Sequence, residues 1–278
     1  MNRARVDDPE DHPELYSDRC RELERLLGGL RDLVVAYSGG VDSSVLLHAA
    51  VRVLGARAVA LIGDSPSLPR RELLEAEAFA ARHGVRLERL ATSELALDGY
   101  RANDGQRCYF CRHTLFREME AWASANGFTT LAYGEITDDL REHRPGRRAA
   151  AELAVRAPLR EVGFSKDDVR RYARAHALDV AEKAAAACLA SRVPLGTTVT
   201  RERLARIEAA EESLRELGFA LLRVRDHGEK ARIEVAAGEL ERARALEPEL
   251  RARLEAQGFT RLELAAYARA SERQELVS

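Results

Sequence analysis

Residues 38–44 read SGGVDSS and directly follow the apolar run LVVAY, so glycine, aspartate and serine fill six of seven consecutive positions. Gly39 and Gly40 permit tight backbone curvature and the close approach of another group. The amide hydrogens of such a loop and of a following helix start bind anions. The stretch therefore predicts a phosphate-binding loop, with Asp42 contacting a metal or a substrate group. A glycine turn with a serine helix cap is the alternative interpretation. The hydroxyl donors of the loop are Ser38, Ser43 and Ser44.

Four cysteines are the second group of residues that could do chemistry. Cys108 and Cys111 form CYFC, and this i, i+3 spacing lets both thiols face one side of a helix. A zinc site is one interpretation, but no second CxxC or nearby CxxH completes four ligands. The others are a thioredoxin-like redox pair, a three-cysteine iron–sulfur site with Cys188 as the distant partner, and packing against a sheet. Cys20 stands alone in an amphipathic helix, where we expect it to be packed.

Short apolar runs that alternate with helical patterns predict the elements that position these residues. Their order predicts an α/β fold, in which a parallel sheet is covered by helices on both faces. The glycine–serine loop then lies at the carboxyl end of the first strand, where such sheets bind ligands. Asp64 and Ser65 follow the second strand at the same edge, and we expect them to contact adenine or ribose. The predicted strands are 33–37, 58–62, 85–90 and 129–134.

The pattern changes after about residue 200, where a charged amphipathic helix precedes an alternating segment around the turn DHGE. Alternation of apolar and polar residues on both sides of such a turn predicts an antiparallel hairpin. A further helix over about 238–257 and a strand at RLELAAYA complete a small α+β unit. The sequence thus predicts two domains, 1–199 for the nucleotide and 200–278 for substrate binding and assembly.

Composition narrows the classes of protein to consider. The 278 residues are 46% apolar and 32% charged, with a formal net charge of −2. This balance argues against a protein whose main task is to bind nucleic acid, because such proteins usually carry an excess of basic residues. No apolar stretch approaches the length of a membrane span, and the polar start has no signal-peptide core. We therefore expect a cytoplasmic protein with reduced cysteines.

The loop resembles the S-G-G-x-D-S signature of the ATP pyrophosphatases, and it lacks the G-x-x-x-x-G-K-[ST] of the common P-loop. This resemblance implies that ATP is cleaved between its α and β phosphates. AMP would pass to a carboxylate or carbonyl oxygen and pyrophosphate would leave. Mg²⁺ is the expected clamp on the phosphates.

Four segments taken together resemble the LarE-type sulfur transferases: SGGVDS, RCYFCRHTLF, ACLASRVPLG and LRVRDHGEKARIEV. That family helps to build the nickel-pincer nucleotide of lactate racemase by turning carboxylates of a pyridinium-3,5-biscarboxylate mononucleotide into thiocarboxylates. The resemblance implies a sulfur-donating cysteine at Cys188 and, in a three-cysteine subgroup, a [4Fe–4S] cluster on Cys108, Cys111 and Cys188. It also implies a homo-oligomer and a possible sulfur donor protein. The arginines assigned to the substrate phosphate are Arg192, Arg223 and Arg225.

Three rival functions stay open. A tRNA thiolation enzyme could combine the same loop with a CxxC and a later cysteine. An amide-forming enzyme of the NAD- or GMP-synthetase kind would leave the cysteines without a role. A module that only binds an adenine nucleotide is the non-enzymatic alternative. Two weaker features are the basic segment 141–148, which could touch phosphate or be solvated, and His48, which we expect to be packed or solvated.

Overall fold

A four-stranded parallel sheet in the order β3-β2-β1-β4 holds the phosphate loop. The computed structural model describes residues 13–141, 145–184, 187–219 and 221–268. The strands are β1 (Leu33–Ala36), β2 (Ala58–Asp64), β3 (Leu87–Ala91), β4 (Leu131–Tyr133), β5 (Leu222–His227), β6 (Lys230–Val235) and β7 (Arg261–Ala266). The helices are α1 (Pro13–Gly28), α2 (Val41–Leu54), α3 (Arg70–Arg82), α4 (Asp98–Arg101), α5 (Arg107–Asn126), α6 (Gly146–Glu152), α7 (Pro158–Glu161), α8 (Lys166–Ala175), α9 (Arg201–Arg215), α10 (Leu240–Ala245) and α11 (Glu247–Glu255).

The central strands of this sheet are apolar because both of their faces are covered. Val34 pairs with Val59 on one side and Leu131 on the other. Side chains alternate between the two faces of a strand, so consecutive residues meet opposite layers of helices. Val34 and Val59 join Phe116 and Met119 of α5 in one buried cluster. The predicted α/β architecture is confirmed.

A glycine and a capping serine define one end of each of two helices near the phosphate loop. Gly55 ends α2 in a positive-φ conformation that glycine adopts without strain. Ser165 caps α8: its hydroxyl accepts from the Asp168 amide while the Asp168 carboxylate accepts from the Ser165 amide. This reciprocal capping box places Lys166 at the first position of α8.

A second sheet has the order β5-β6-β7, with β5 antiparallel and β7 parallel to β6. One face packs on α9, α10 and α11 around a core that includes Leu214, Val224 and Phe259. The single helix predicted over 238–257 is wrong, since the structure has two helices that meet at Leu246. Pro248 lies in the first turn of α11, where it lacks an amide donor and cannot continue α10.

Two compact units divide the chain. The first comprises the described residues of Met1–Ser65, Arg70–Glu94 and Cys108–Ala186, and the second those of Pro66–Pro69, Leu95–Arg107 and Ala187–Ser278. The division at residue 199 stays a prediction. Within the described residues, no helix combines the length and the apolar composition needed to span a membrane.

Candidate active site

The glycine–serine loop joins β1 to α2, as predicted. Gly39 adopts a φ of +70°, and a Cβ atom there would lie 3.1 Å from the Cβ of Ala76. Ser43 Oγ donates to the Gly40 carbonyl at 3.0 Å and lies 3.1 Å from Ser38 Oγ. Ser44 is fully buried and bonds the Tyr37 hydroxyl beneath the loop. The hydroxyls of Ser43 and Ser44 therefore brace the loop, whose tight curvature requires Gly39.

Asp42 lies in the first turn of α2 and is held by a lysine that the sequence analysis missed. Lys166 Nζ donates to both carboxylate oxygens of Asp42, at 2.8 and 2.9 Å. The Lys166 backbone amide donates to Asp138 Oδ2 at 2.9 Å. The lysine explains how an acidic side chain is tolerated in an anion-binding loop. It also places a mobile ammonium donor where phosphates would bind.

Gly134 brings the end of β4 against the same loop. A Cβ atom at this position would lie 2.7 Å from the Ser43 nitrogen and 2.9 Å from the Asp42 carbonyl carbon. Both neighbours are backbone atoms, so no side-chain rotation could relieve the contact. Only glycine lets β4 and the phosphate loop approach this closely.

Asp64 and Ser65 lie at the carboxyl end of β2, at the predicted edge of the sheet. Arg70 donates to the Asp64 carboxylate at 2.5 Å and to the Ser65 carbonyl at 2.7 Å. The Asp64 side chain keeps 27% of its surface exposed, whereas Ser65 is buried. Asp64 is thus the more accessible of the two predicted nucleotide contacts, and Arg70 was not anticipated.

Cys108 and Cys111 lie in the first turns of α5, where Cys108 is exposed and Cys111 is half-buried. Both belong to the first unit, and Cys188 belongs to the second. All four cysteines are among the described residues, and none forms a disulfide bond. In that same part of the chain, no three His, Cys, Asp or Glu side chains are grouped to hold a metal ion. The predicted iron–sulfur ligands therefore come from both units, and the ligand set stays a prediction.

Cys188 is exposed at the start of a short 3₁₀ turn, Leu189–Arg192. Arg192, predicted to bind substrate phosphate, is buried beneath this turn. Its guanidinium donates to Glu211 through Nε at 2.9 Å and Nη2 at 3.2 Å, and its Nη1 donates to the carbonyls of Ala187 and Cys188. These bonds hold the backbone that presents the Cys188 thiol, and the predicted contact of Arg192 with the substrate phosphate stays a prediction.

Arg223 and Arg225 project from β5 on the face of the sheet opposite its core, but their surroundings differ. Arg225 forms a two-pronged ion pair with buried Glu234, at 2.6 and 2.8 Å, and donates to the Ser191 carbonyl. The only hydrogen bond described for the Arg223 side chain is to its own neighbour, the Leu222 carbonyl. Burial lowers the pKa of Arg223, and the nearby Arg192 charge adds to the effect. Arg223 forms no salt bridge with an acidic side chain among the described residues, so it is the arginine best placed to receive a phosphate.

The structure also describes three features to which the sequence analysis gave no firm role: His48, Cys20 and part of the basic segment 141–148. His48 Nδ1 lies 3.1 Å from the Tyr172 hydroxyl, which confirms that it is packed. Burial lowers the pKa of His48 to about 4, with smaller effects from His176, His83 and Arg52. Cys20 is half-buried on α1. Part of the basic segment 141–148 lies outside the described residues; Arg147 and Arg148 pair with Glu135 and Glu152 respectively.

Comparison with known proteins adds independent information. No protein-family model matches the chain. An uncharacterized protein of Synechocystis sp. is 40% identical over 221 residues, which cover 80% of this chain and 82% of that protein. Pyridinium-3,5-bisthiocarboxylic acid mononucleotide synthase of Lactiplantibacillus plantarum is 35% identical over 214 residues, or 76% of this chain and 78% of that one. Argininosuccinate synthase of Haloquadratum walsbyi is 29% identical over 160 residues, 53% of this chain and 40% of that enzyme.

Proposed function

Since this chain belongs to the family of LarE-type sulfur transferases, we propose that it is an ATP-dependent enzyme that converts carboxylates of a pyridinium-3,5-biscarboxylate mononucleotide into thiocarboxylates. The observation that carries the proposal is the exposed Cys188 thiol on a turn braced by the buried Arg192–Glu211 pair. The same unit offers Arg223, an arginine with no salt bridge among the described residues, for the substrate phosphate. The other unit supplies the loop for ATP.

The first step is adenylation. A carboxylate is a poor electrophile because oxide is a poor leaving group. Attack of a carboxylate oxygen on the α-phosphorus of ATP forms an acyl-adenylate and releases pyrophosphate. The amides of the Gly39–Gly40 loop and the start of α2 stabilise charge that develops on the phosphates. The Lys166 ammonium group, which is bound to Asp42 beside the loop, can also donate to a phosphate oxygen.

Mg²⁺ fits this site as a companion of ATP. Asp42 offers a carboxylate of the kind that hard cations prefer, and Lys166 forms an ion pair with it. The described residues contain no set of three side chains grouped for a metal, so phosphate and water oxygens would complete the coordination of the ion. Bound Mg²⁺ would offset the negative charge of the triphosphate.

The second step transfers sulfur. The Cys188 thiolate attacks the acyl carbon and expels AMP, which leaves a thioester between chain and substrate. Cleavage of the cysteine Cβ–S bond, with loss of the Cα proton, then leaves the sulfur on the substrate and dehydroalanine in the chain. The exposure of Cys188 allows the nucleotide to reach the thiol. Arg192 and Glu211 keep the turn in place while the thioester forms.

We also propose a [4Fe–4S] cluster on Cys108, Cys111 and Cys188, which would supply the sulfur for repeated turnovers. Thiolates are the usual ligands of such clusters, so the donor set fits by its chemistry. Cys108 and Cys111 belong to one unit and Cys188 to the other, and the described residues of neither unit form a three-ligand group. No step above therefore uses the cluster. We also propose that the protein is cytoplasmic and forms a homo-oligomer. In the same proposal, a donor protein supplies it with sulfur and its product is delivered to a nickel enzyme.

The experiment separates the two steps with two variants. Wild type, Asp42→Asn and Cys188→Ala are incubated without oxygen with ATP, Mg²⁺ and the biscarboxylate mononucleotide. We expect Cys188→Ala to release pyrophosphate without forming a thiocarboxylate, and Asp42→Asn to do neither. Cys20→Ala, a half-buried cysteine on α1, is the control and should behave like wild type. Thiocarboxylate formation by Cys188→Ala would contradict the proposal.

A further inference from the structure

A third arginine holds the turn that carries Cys188. Arg107, the first residue of α5, donates from Nη1 to the Ala190 carbonyl at 2.7 Å, although it lies 83 residues earlier in the sequence. The same nitrogen donates to Asn103 Oδ1 at 2.5 Å. All of these residues belong to the second unit. A distant segment of the chain therefore helps to hold the backbone that presents the thiol.

Asn103 holds the chain that follows the same turn. Its side-chain nitrogen lies within hydrogen-bond distance of three carbonyls, 3.3 Å from Val193, 2.8 Å from Pro194 and 3.3 Å from Thr197. Asn103 is 2% exposed and has a φ of +52°, a left-handed conformation that asparagine adopts more readily than most residues. The buried amide thus ties the chain beyond the turn to the segment that ends in Arg107.

Arg107 differs from Arg192 and Arg225, which also donate to carbonyls of this turn. Arg192 is paired with buried Glu211, and Arg225 is paired with buried Glu234. The bonds described for Arg107 go to neutral oxygens, and its side chain is half-buried. Loss of Arg107 would therefore leave no described carboxylate buried without its partner, which is the strongly destabilising part of breaking a buried ion pair. Replacement of Arg107 can loosen the turn while the fold is kept.

The sulfur step proposed for this chain depends on where the Cys188 thiolate lies. Attack on the acyl carbon requires sulfur and carbon to approach in a defined direction, to about 3–3.5 Å. Cys188 is exposed, so the packing of its own side chain does not fix its place and the backbone must do so. The proposed adenylation uses the loop after β1, which belongs to the other unit, and makes no use of this turn.

We propose that Arg107 and Asn103 are positioning residues for sulfur transfer, which hold the turn so that the Cys188 thiolate meets the acyl-adenylate. This inference rests on the proposed function and adds residues that act on its second step alone. A purely structural role would lower stability and slow both steps together, whereas a positioning role slows only the sulfur step.

The test follows both steps in a single turnover, with the full chain in excess over the biscarboxylate mononucleotide and with ATP and Mg²⁺ in the absence of oxygen. Pyrophosphate release reports adenylation, and thiocarboxylate formation reports sulfur transfer. Arg107→Gln should release pyrophosphate within about twofold of the wild-type rate and transfer sulfur about ten- to a hundredfold more slowly, as a displacement of up to about 1 Å would cause. Arg107→Lys should recover part of the loss, since lysine keeps the charge but not the planar fork. Arg101→Gln is the matched control, because Arg101 lies in the same segment and pairs with exposed Asp98.

A second variant tests the asparagine. Asn103→Gly removes the amide at a position where glycine adopts the same φ without strain. It should show the same selective loss of sulfur transfer, with a lower melting temperature because the amide is buried. The two losses should not multiply in the double variant, since both residues hold one turn.

Each outcome has a distinct meaning. Wild type that forms no thiocarboxylate would overturn the proposed function itself. Active wild type with an unchanged sulfur step in Arg107→Gln would overturn only the positioning role, as would an equal slowing of both steps. Thermal melting checks the fold of each variant. Should Arg107→Gln not fold, Arg107→Lys takes its place, with the same selective loss expected at a smaller size.

Discussion

Replacing Gly134 by alanine tests how closely β4 must approach the phosphate loop. The added Cβ atom would lie 2.7 Å from the Ser43 nitrogen and 2.8 Å from its Cα atom. An ordinary contact would require the two backbones to separate by roughly 0.7 Å, and overpacking of this kind costs about 1–3 kcal/mol. A displacement of about 1 Å at a site that positions substrate can lower the rate about a hundredfold. We expect Gly134→Ala to lose far more activity than stability.

Substrate-dependent pyrophosphate release and thermal melting measure these two effects. The expected result is a rate reduced about ten- to a hundredfold and a melting temperature lowered by about 2–4 °C for each kcal/mol lost. Gly28→Ala is the matched control in the same unit, because its Cβ would meet only Val53 Cγ1 at 3.7 Å. Gly134→Ala with wild-type release and melting would refute the claim that this contact shapes the loop.

Three further predictions follow from the second unit and from the histidine on α2. Arg223→Gln should weaken substrate binding about ten- to a hundredfold in a titration with the nucleotide while melting stays near wild type; an unchanged affinity would contradict its role. Arg225→Gln should instead destabilise the chain by about 3–5 kcal/mol in denaturant unfolding, because buried Glu234 loses its two short ion-pair contacts with Arg225; wild-type stability would contradict this. Burial lowers the pKa of His48 to about 4, whereas an unfolded histidine titrates near 6.5. The unfolded chain therefore binds the extra proton, so stability should fall as the pH decreases from about 6.5 to 4. His48→Gln should make this fall shallower, and an unchanged slope would show that other groups cause it.

The parallel sheet could be predicted because its strands carry a strong local signal. Val34 and Val59 belong to short runs that are apolar at every position, and helical segments of ordinary length separate them. The break between α10 and α11 was missed because the apolar spacing continues through Pro248. A proline in the first turn of a second helix preserves that spacing, so periodicity alone cannot reveal the boundary.

The site was only partly predictable. The residue types of the loop are adjacent in sequence, whereas the ion pairs of the site join residues that are far apart in sequence. The loop stood out because its glycines and serines are adjacent. Lys166 is the first residue of α8, but nothing local shows that its ammonium group reaches Asp42, 124 residues away in sequence. The sequence also did not reveal that Arg225, and not Arg223, forms the ion pair with Glu234. The strand register places Arg223 opposite Glu234, yet the diagonal neighbour Arg225 takes that carboxylate.

The mass of the nucleotide product tests the proposed function most directly. The protein is incubated without oxygen with ATP, Mg²⁺ and the pyridinium-3,5-biscarboxylate mononucleotide, and the nucleotide is then weighed together with the intact chain. We predict that sulfur replaces a carboxylate oxygen, that AMP and pyrophosphate appear in equal amounts, and that Cys188 loses the elements of hydrogen sulfide when no other sulfur source is supplied. An unmodified carboxylate with no AMP, or a product that gains nitrogen in place of sulfur, would contradict the assignment of this chain as a sulfur transferase.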